Sequence, residues 1–191
     1  MGIKKQISEL INQIFHKFNL EIIRAHPREA IKFARDYFNK KEITAAEIGV
    51  FFGENAFEIN KNLKVKKLYL IDPYENYEDY KTDEICSKLK KARKNAHRIN
   101  SARNIIWIEN SSEDATKRIN EEIDFLYIDG NHEYNYVKKD LELYWPKIKK
   151  GGIMAGHDIQ GVGVSKALIE FVKRKKLEVF FGDRRDWWII K

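Results

Sequence analysis

Apolar positions along this chain follow two alternating rhythms. From Ile43 onward, short continuous apolar runs at 43–50, 65–71, 105–108, 123–128 and 152–156 alternate with stretches at about 54–62, 82–100, 112–120, 133–149 and 164–175, where apolar residues recur every three or four positions. Short runs bounded by turn residues predict strands buried on both faces, and their alternation with helical periods predicts a parallel sheet built from βαβ units. The rhythm breaks at the end of the chain. There the apolar runs 177–181 and 187–190 are separated only by Gly182-Asp183-Arg184-Arg185-Asp186. No crossover helix fits in five residues, so these two strands must form an antiparallel hairpin. Ahead of the first strand, Ile3, Ile7, Leu10, Ile11, Ile14 and Phe18 recur at helical spacing, and a second helix is predicted from Pro27 with Ala30, Ile31, Ala34 and Phe38 on one face. The expectation is an α/β fold: a doubly wound, Rossmann-like, seven-stranded sheet, mostly parallel with an antiparallel last strand. Two N-terminal helices precede it, giving an extension over 1–41 packed on a domain over 42–191.

The end of the first strand carries candidate chemistry. Glu47-Ile48-Gly49-Val50-Phe51-Phe52-Gly53-Glu54-Asn55 runs from strand through turn into helix, and the next strand closes on Asp72. A doubly wound sheet opens its ligand crevice at such a turn, and an acid ending the second strand reaches a ribose hydroxyl. In the dinucleotide fingerprint the middle glycine lets the backbone approach a pyrophosphate; here that place is Phe51, and the spacing is G-x-x-x-G. Glu47 adds a carboxylate, which suits a ligand bearing an ammonium and a sulfonium better than one bearing phosphates. S-adenosylmethionine has that charge pattern.

Composition narrows the class. At 191 residues, 43% of them hydrophobic, the chain is sized for one core and one domain. A single cysteine, Cys86, rules out an intramolecular disulfide and a cysteine-rich zinc site, which fits a reducing cytoplasm. Lys4-Lys5 precede apolar residues, but Ser8, Glu9, Asn12 and Gln13 interrupt them, so neither a signal peptide nor a membrane span is expected. The formal net charge of +7 favours an anionic partner, yet the lysines are spread along the chain as on solvated helix faces. RNA therefore stays open as a substrate, DNA is not expected, and a homo-oligomer stays open.

The fourth predicted strand ends at Asp129, followed by Gly130-Asn131-His132, and the fifth ends at His157-Asp158. Neighbouring strand ends would present Asp129, His157 and Asp158 together, an oxygen and nitrogen ligand set for a divalent metal. Several motifs now stand in order: Glu-Ile-Gly-Val-Phe-Phe-Gly at 47–53, Ile-Asp-Pro-Tyr at 71–74, Ile-Asp-Gly-Asn-His-Glu-Tyr at 128–134, Asp140 with Trp145-Pro146, Gly151-Gly152, His157-Asp158 and Trp187-Trp188-Ile189-Ile190. Over residues 43–191 the chain resembles the class I S-adenosylmethionine-dependent methyltransferases, and within them the small-molecule O-methyltransferase branch that includes macrocin-type sugar O-methyltransferases.

The resemblance implies roles. Glu47 and Gly49, with Gly53 closing the turn, line the methionine end of the cofactor; Asp72 binds the ribose hydroxyls; Ser112 and Glu113 lie at the adenine; Asp129 lies between cofactor and acceptor. Mg²⁺, where used, would be held by Asp129, His157 and Asp158. Where some sugar-modifying relatives have an acid that can serve as base, this chain has Asn131, so the base falls to His132, whose ordinary pKa suits the task. The expected activity is O-methylation of a small polar acceptor such as a sugar or glycosylated metabolite. An RNA methyltransferase, a nicotinamide-dependent oxidoreductase and an inactive cofactor-binding protein are the rivals.

Overall fold

The computed structural model describes residues 27–75, 82–183 and 185–191. The predicted first helix lies outside the described residues. The second is α1 (Glu29–Phe38), followed by β1 (Ile43–Ile48), α2 (Glu54–Asn62), β2 (Val65–Ile71), α3 (Asp83–Ile99), β3 (Ile105–Ile108), α4 (Ser112–Thr116) and β4 (Ile123–Ile128). Then come α5 (Tyr134–Tyr144), a 3₁₀ turn (Trp145–Lys147), β5 (Ile148–Gly156), α6 (Val162–Lys175), β6 (Phe180–Phe181) and β7 (Trp187–Ile190).

The strands form one seven-stranded sheet in the order β3-β2-β1-β4-β5-β7-β6. Pairings from β3 through β5 are parallel, and β7 pairs antiparallel with both β5 and β6. The predicted mixed sheet with a terminal hairpin is what forms. Successive strand residues serve opposite faces. Phe125 and Tyr127 pack with α1 and α2, whereas Leu126 and Ile128 pack with α5 and α6. This two-sided burial is why the strands read as continuous apolar runs.

Four element boundaries differ from the sequence expectation, each for a local reason. β1 stops at Ile48 because Gly49 takes φ +84° and Phe51 φ +48°, which turns the chain out of the sheet. The helix expected over 112–120 ends at Thr116, and Ile119 is folded back into the core. The helix expected over 133–149 ends at Tyr144, before Pro146, which lacks an N–H for the helical ladder; Ile148 already begins β5. Of the run 177–181, only Phe180–Phe181 pairs in the sheet.

Strand order reverses between β1 and β4, so their carboxyl ends flank the crevice of a doubly wound sheet. The far wall is held by Trp187. A Cβ on Gly156 would lie 2.4 Å from the Trp187 ring, and Trp187 Nε1 donates to the His157 carbonyl at 3.2 Å. That contact seats the His157-Asp158 turn against the sheet. Among the described residues no helix is long and apolar enough to cross a membrane.

Candidate active site

The crevice beyond β1 and β4 encloses a cavity of about 470 Å³, within the range of small-molecule sites. Glu47, Gly49, Asp72, Ser112, Asp129 and His132, all expected from the sequence, line it.

Glu47, the penultimate residue of β1, is fully buried, and its Oε1 accepts from Asn55 Nδ2 at 2.8 Å. Its other oxygen and Asn55 Oδ1 are buried without a protein partner among the described residues. Burial pushes the Glu47 carboxyl up to about 8, against the Asn55 hydrogen bond and the nearby Arg28 charge. An orphaned, buried acid at a cavity wall lacks a donor or a cation, and a ligand ammonium supplies both. In the ligand-free protein the raised value means that stability contributed by the neutral acid is complete below the ordinary value of 4.5 and is lost as pH climbs through about 8. Melting temperatures of wild type relative to Glu47→Gln should therefore fall across that window; parallel curves would show that Glu47 titrates as an ordinary acid.

Past Gly49 the chain makes a tight loop. A Cβ on Gly49 would lie 2.2 Å from the Asp129 carbonyl oxygen, so only glycine lets β1 and β4 end this close together. Asp72 braces the loop: Oδ2 accepts from Val50 N at 3.0 Å and Phe51 N at 2.8 Å, and Oδ1 from Tyr74 N at 2.8 Å. The ring of Phe51 is exposed, with the Lys88 ammonium 5.3 Å from its centroid. Gly53 does not line the cavity. It starts α2 at φ +87°, and a Cβ there would strike Asn100 and Ala96, so its work is to pack α2 against α3.

At the opposite end, Ser112 Oγ donates to Asp140, whose carboxyl burial pushes up to about 6, and the Ser112 carbonyl accepts from Tyr144 Oη at 2.8 Å. Glu113 lies outside the cavity lining and pairs with Lys139 on the surface. Ser111 rather than Glu113 shares the wall with Ser112.

Asp129 is the junction of the third group. Its Oδ2 accepts from Arg28 Nη1 at 2.7 Å, and its Oδ1 faces His132 Nε2 at 3.6 Å and His157 Nδ1 at 3.9 Å. His132 Nε2 also lies 3.3 Å from Asp158 Oδ2, and His157 Nδ1 3.2 Å from Asp158 Oδ1. The Asp129 carboxylate beside it, despite partial burial, holds the His132 imidazole above its usual range. Asn131 is occupied in capping the loop, its Oδ1 accepting from Glu133 N at 2.8 Å.

Asp129, His132 and Asp158 can each aim one ligand atom within 4.8 Å of the others, so a metal set here would draw on His132 where the sequence pointed to His157. These donors do not fit Mg²⁺, which favours an all-oxygen shell. Imidazoles stand between the carboxylates, and each carboxylate already faces an arginine: Asp129 faces Arg28 at 2.7 Å and Asp158 faces Arg185 at 3.6 Å.

Sequence reasoning missed Arg28 and the chain of bonds behind it. Tyr127 Oη accepts from Arg28 Nη1 at 2.9 Å and donates to Asp186 Oδ1 at 2.7 Å; Asp186 Oδ2 accepts from the Ala30 amide at 2.9 Å. The members come from α1, β4 and the β6–β7 turn, and no spacing along the chain connects them. Asn55 was visible only as a neighbour of the glycine turn, and Asp140 only as part of an ordered motif.

Comparison with known proteins agrees with this geometry. A family model described as a methyltransferase domain matches residues 46–159, more than half of the chain. An uncharacterized protein of Acanthamoeba polyphaga mimivirus is 31% identical over 151 residues, covering 76% of this chain and 64% of that protein. The chain thus spans just under two thirds of this relative's length. Among solved structures, the O-methyltransferase NovP superposes with a TM-score of 0.65 at 14% identity, over 85% of this chain and 79% of its own. An O-methyltransferase from Bacillus cereus in complex with SAH gives 0.61 at 14% identity, over 96% and 90%. A putative caffeoyl-CoA O-methyltransferase from Staphylococcus aureus gives 0.61 at 16%, over 96% and 91%. At these identities the superpositions speak for the fold, and the family match speaks for descent: the chain belongs to the methyltransferase domain family, built on the class I S-adenosylmethionine-dependent fold.

Proposed function

We propose that this protein is an S-adenosylmethionine-dependent O-methyltransferase that acts on a hydroxyl of a small polar acceptor, in the manner of the small-molecule branch. The observation that carries the reading is Glu47: a fully buried acid at the crevice wall with one oxygen unpartnered, placed for a ligand ammonium. Asp72 braces the loop with three backbone bonds, and its two oxygens keep lone pairs for ribose hydroxyls. Ser111, Ser112 and Asp140 make a polar wall for the base. Bound S-adenosylmethionine supplies an electrophilic methyl group on a sulfonium.

The chain's own residues then have two tasks, to align an acceptor hydroxyl and to take its proton. His132 Nε2 is placed for the second, half exposed at the mouth of the cavity and flanked by Asp129 and Asp158, whose charges stabilise the imidazolium that forms. Asp129, fixed by Arg28, faces that same nitrogen at 3.6 Å. The name of one structural neighbour, a putative caffeoyl-CoA O-methyltransferase, supports this choice of acceptor class.

Calorimetric titration with S-adenosylhomocysteine is the test, with NADH as the control. Micromolar binding of the homocysteine nucleoside is expected, weakened at least about tenfold in Asp72→Ala through lost hydrogen bonds to a charged group and a loosened turn. Saturable binding of NADH without binding of S-adenosylhomocysteine would replace this reading with a nicotinamide-dependent one. A screen of hydroxylated acceptors with labelled cofactor would then identify the substrate.

A further inference from the structure

We propose that the Arg28 guanidinium is the built-in cation of the acceptor site, doing by a fixed side chain what a divalent metal would otherwise do there; this rests on the methyltransferase reading above. Arg28 stands at the N-cap of α1, and the helix start is tied to the far side of the sheet by the bond from Ala30 N to Asp186 Oδ2. Asp186 in turn receives the Tyr127 hydroxyl, and Tyr127 receives Arg28 Nη1. The guanidinium carbon sits 5.3 Å from the Tyr127 ring centroid, so a cation–π contact adds to the two hydrogen bonds. A side chain held at this many points is placed without a large entropic cost at the moment of binding.

Both hydrogens of Nη1 are committed, one to Tyr127 and one to Asp129. Nε and Nη2 have no partner among the described residues, and Arg28 lines the cavity. Those free donors suit the oxygen of an acceptor hydroxyl, which gains acidity beside a positive charge. The charge balance points the same way. Asp129 and Asp158 bring two negative charges, and Arg28 and Arg185 already face them with two positive ones. A dication would therefore enter a site that is already neutralised, losing hydration with no net negative charge to offset it. Arg28 holds Asp129 Oδ2, so only Oδ1 of this carboxylate is left facing His132 and His157.

The test is metal titration of the protein–S-adenosylhomocysteine complex, with Mg²⁺ followed by calorimetry and Mn²⁺ by electron paramagnetic resonance. The same titrations are run on Arg28→Gln. Wild type is expected to bind neither ion more tightly than about millimolar, and the variant, with Asp129 released, to bind Mn²⁺ at least about tenfold more tightly. Affinity of Arg28→Gln for S-adenosylhomocysteine should stay within about threefold of wild type, because Glu47 and Asp72 carry that ligand. Micromolar binding of either ion by wild type, abolished in His132→Ala, would overturn the proposal and give the cluster of Asp129, His132 and Asp158 to a metal. An Arg28→Gln variant that gains no ion affinity would overturn it too, and one that loses S-adenosylhomocysteine would assign Arg28 to the cofactor's carboxylate instead. Should the variant fail to fold, the wild-type titration still decides. Failure of wild type to bind S-adenosylhomocysteine at all is a different result, which removes the functional reading and not this inference alone.

Discussion

An Asp129→Ala variant should lose about 10²- to 10⁴-fold in kcat/KM while still binding S-adenosylhomocysteine. The magnitude follows from the number of groups that depend on this one carboxylate. Its Oδ2 holds Arg28 at 2.7 Å, and its Oδ1 faces both His132 and His157. Truncation leaves a partly buried guanidinium without its anion, and removes one of the two carboxylates that face His132 Nε2. Both tasks of the acceptor site, alignment and proton removal, fail together. Binding of the nucleoside should survive because Glu47, Asp72 and Ser112 lie on other strand ends and make their bonds without Asp129. The comparison is made with an acceptor found by the labelled-cofactor screen, and turnover equal to wild type would remove Asp129 from the site.

Gly49→Ala is expected to be the most damaging single methyl group in the crevice, destabilising the protein by more than about 3 kcal/mol and lowering Tm by roughly 6–12 °C. Two costs combine. At φ +84° any residue with a Cβ is strained, and that Cβ would lie 2.2 Å from the Asp129 carbonyl oxygen and 2.6 Å from Gly130 Cα. Both opposing atoms are backbone, so neither can rotate away; the ends of β1 and β4 must part instead. Parting them displaces the loop after Gly49 that Asp72 braces, so nucleoside binding and stability fall together. Gly130→Ala is the control. A Cβ there would meet Ile48 Cγ2 at 3.4 Å and the Ile48 carbonyl oxygen at 4.0 Å, and its φ is not positive, so thermal melting should move little. Equal melting temperatures for the two variants would mean that the strand ends separate at no cost.

Much of the fold was legible because its signals are local. Ile123–Ile128 is buried on both faces, and a segment so placed is apolar except where a polar side chain finds a partner, as Asp124 does in Thr44 N, so a reader of the chain sees it directly. The antiparallel β7 followed from arithmetic, since five residues cannot carry a crossover. Boundaries were misjudged where a local feature overrode the pattern. Tyr134, Val137, Leu141, Tyr144 and Ile148 read as one helical stripe, yet Ile148 belongs to β5, because Pro146 interrupts the ladder between them. The run 177–181 is apolar enough to be one strand, but only Phe180 and Phe181 have a partner strand beside them.

Within the site, the acids at strand ends were found for the same reason: the carboxyl end of a parallel strand is both a place in sequence and a place in the crevice. Glu47, Asp72 and Asp129 line the crevice, and Asp158 stands 3.3 Å from His132 beside it. The linkage among them was not legible. That Asp129 meets Arg28, that His132 rather than His157 completes the closest ligand triad, and that Glu113 turns outward to Lys139 depend on side-chain direction, which spacing does not encode.

By itself, then, the sequence determined the architecture, the position of the ligand crevice and the kind of cofactor its mouth can accept, since periodicity, loop length and glycine placement are properties of neighbouring residues. Only the tertiary structure decided how the crevice is charged. Arg28 lies 99 residues from Tyr127 and 101 from Asp129, and Asp186 lies 156 from Ala30. Electrostatic partnership acts through space over a few ångströms, and along the chain nothing marks which distant charges the fold will bring within that range.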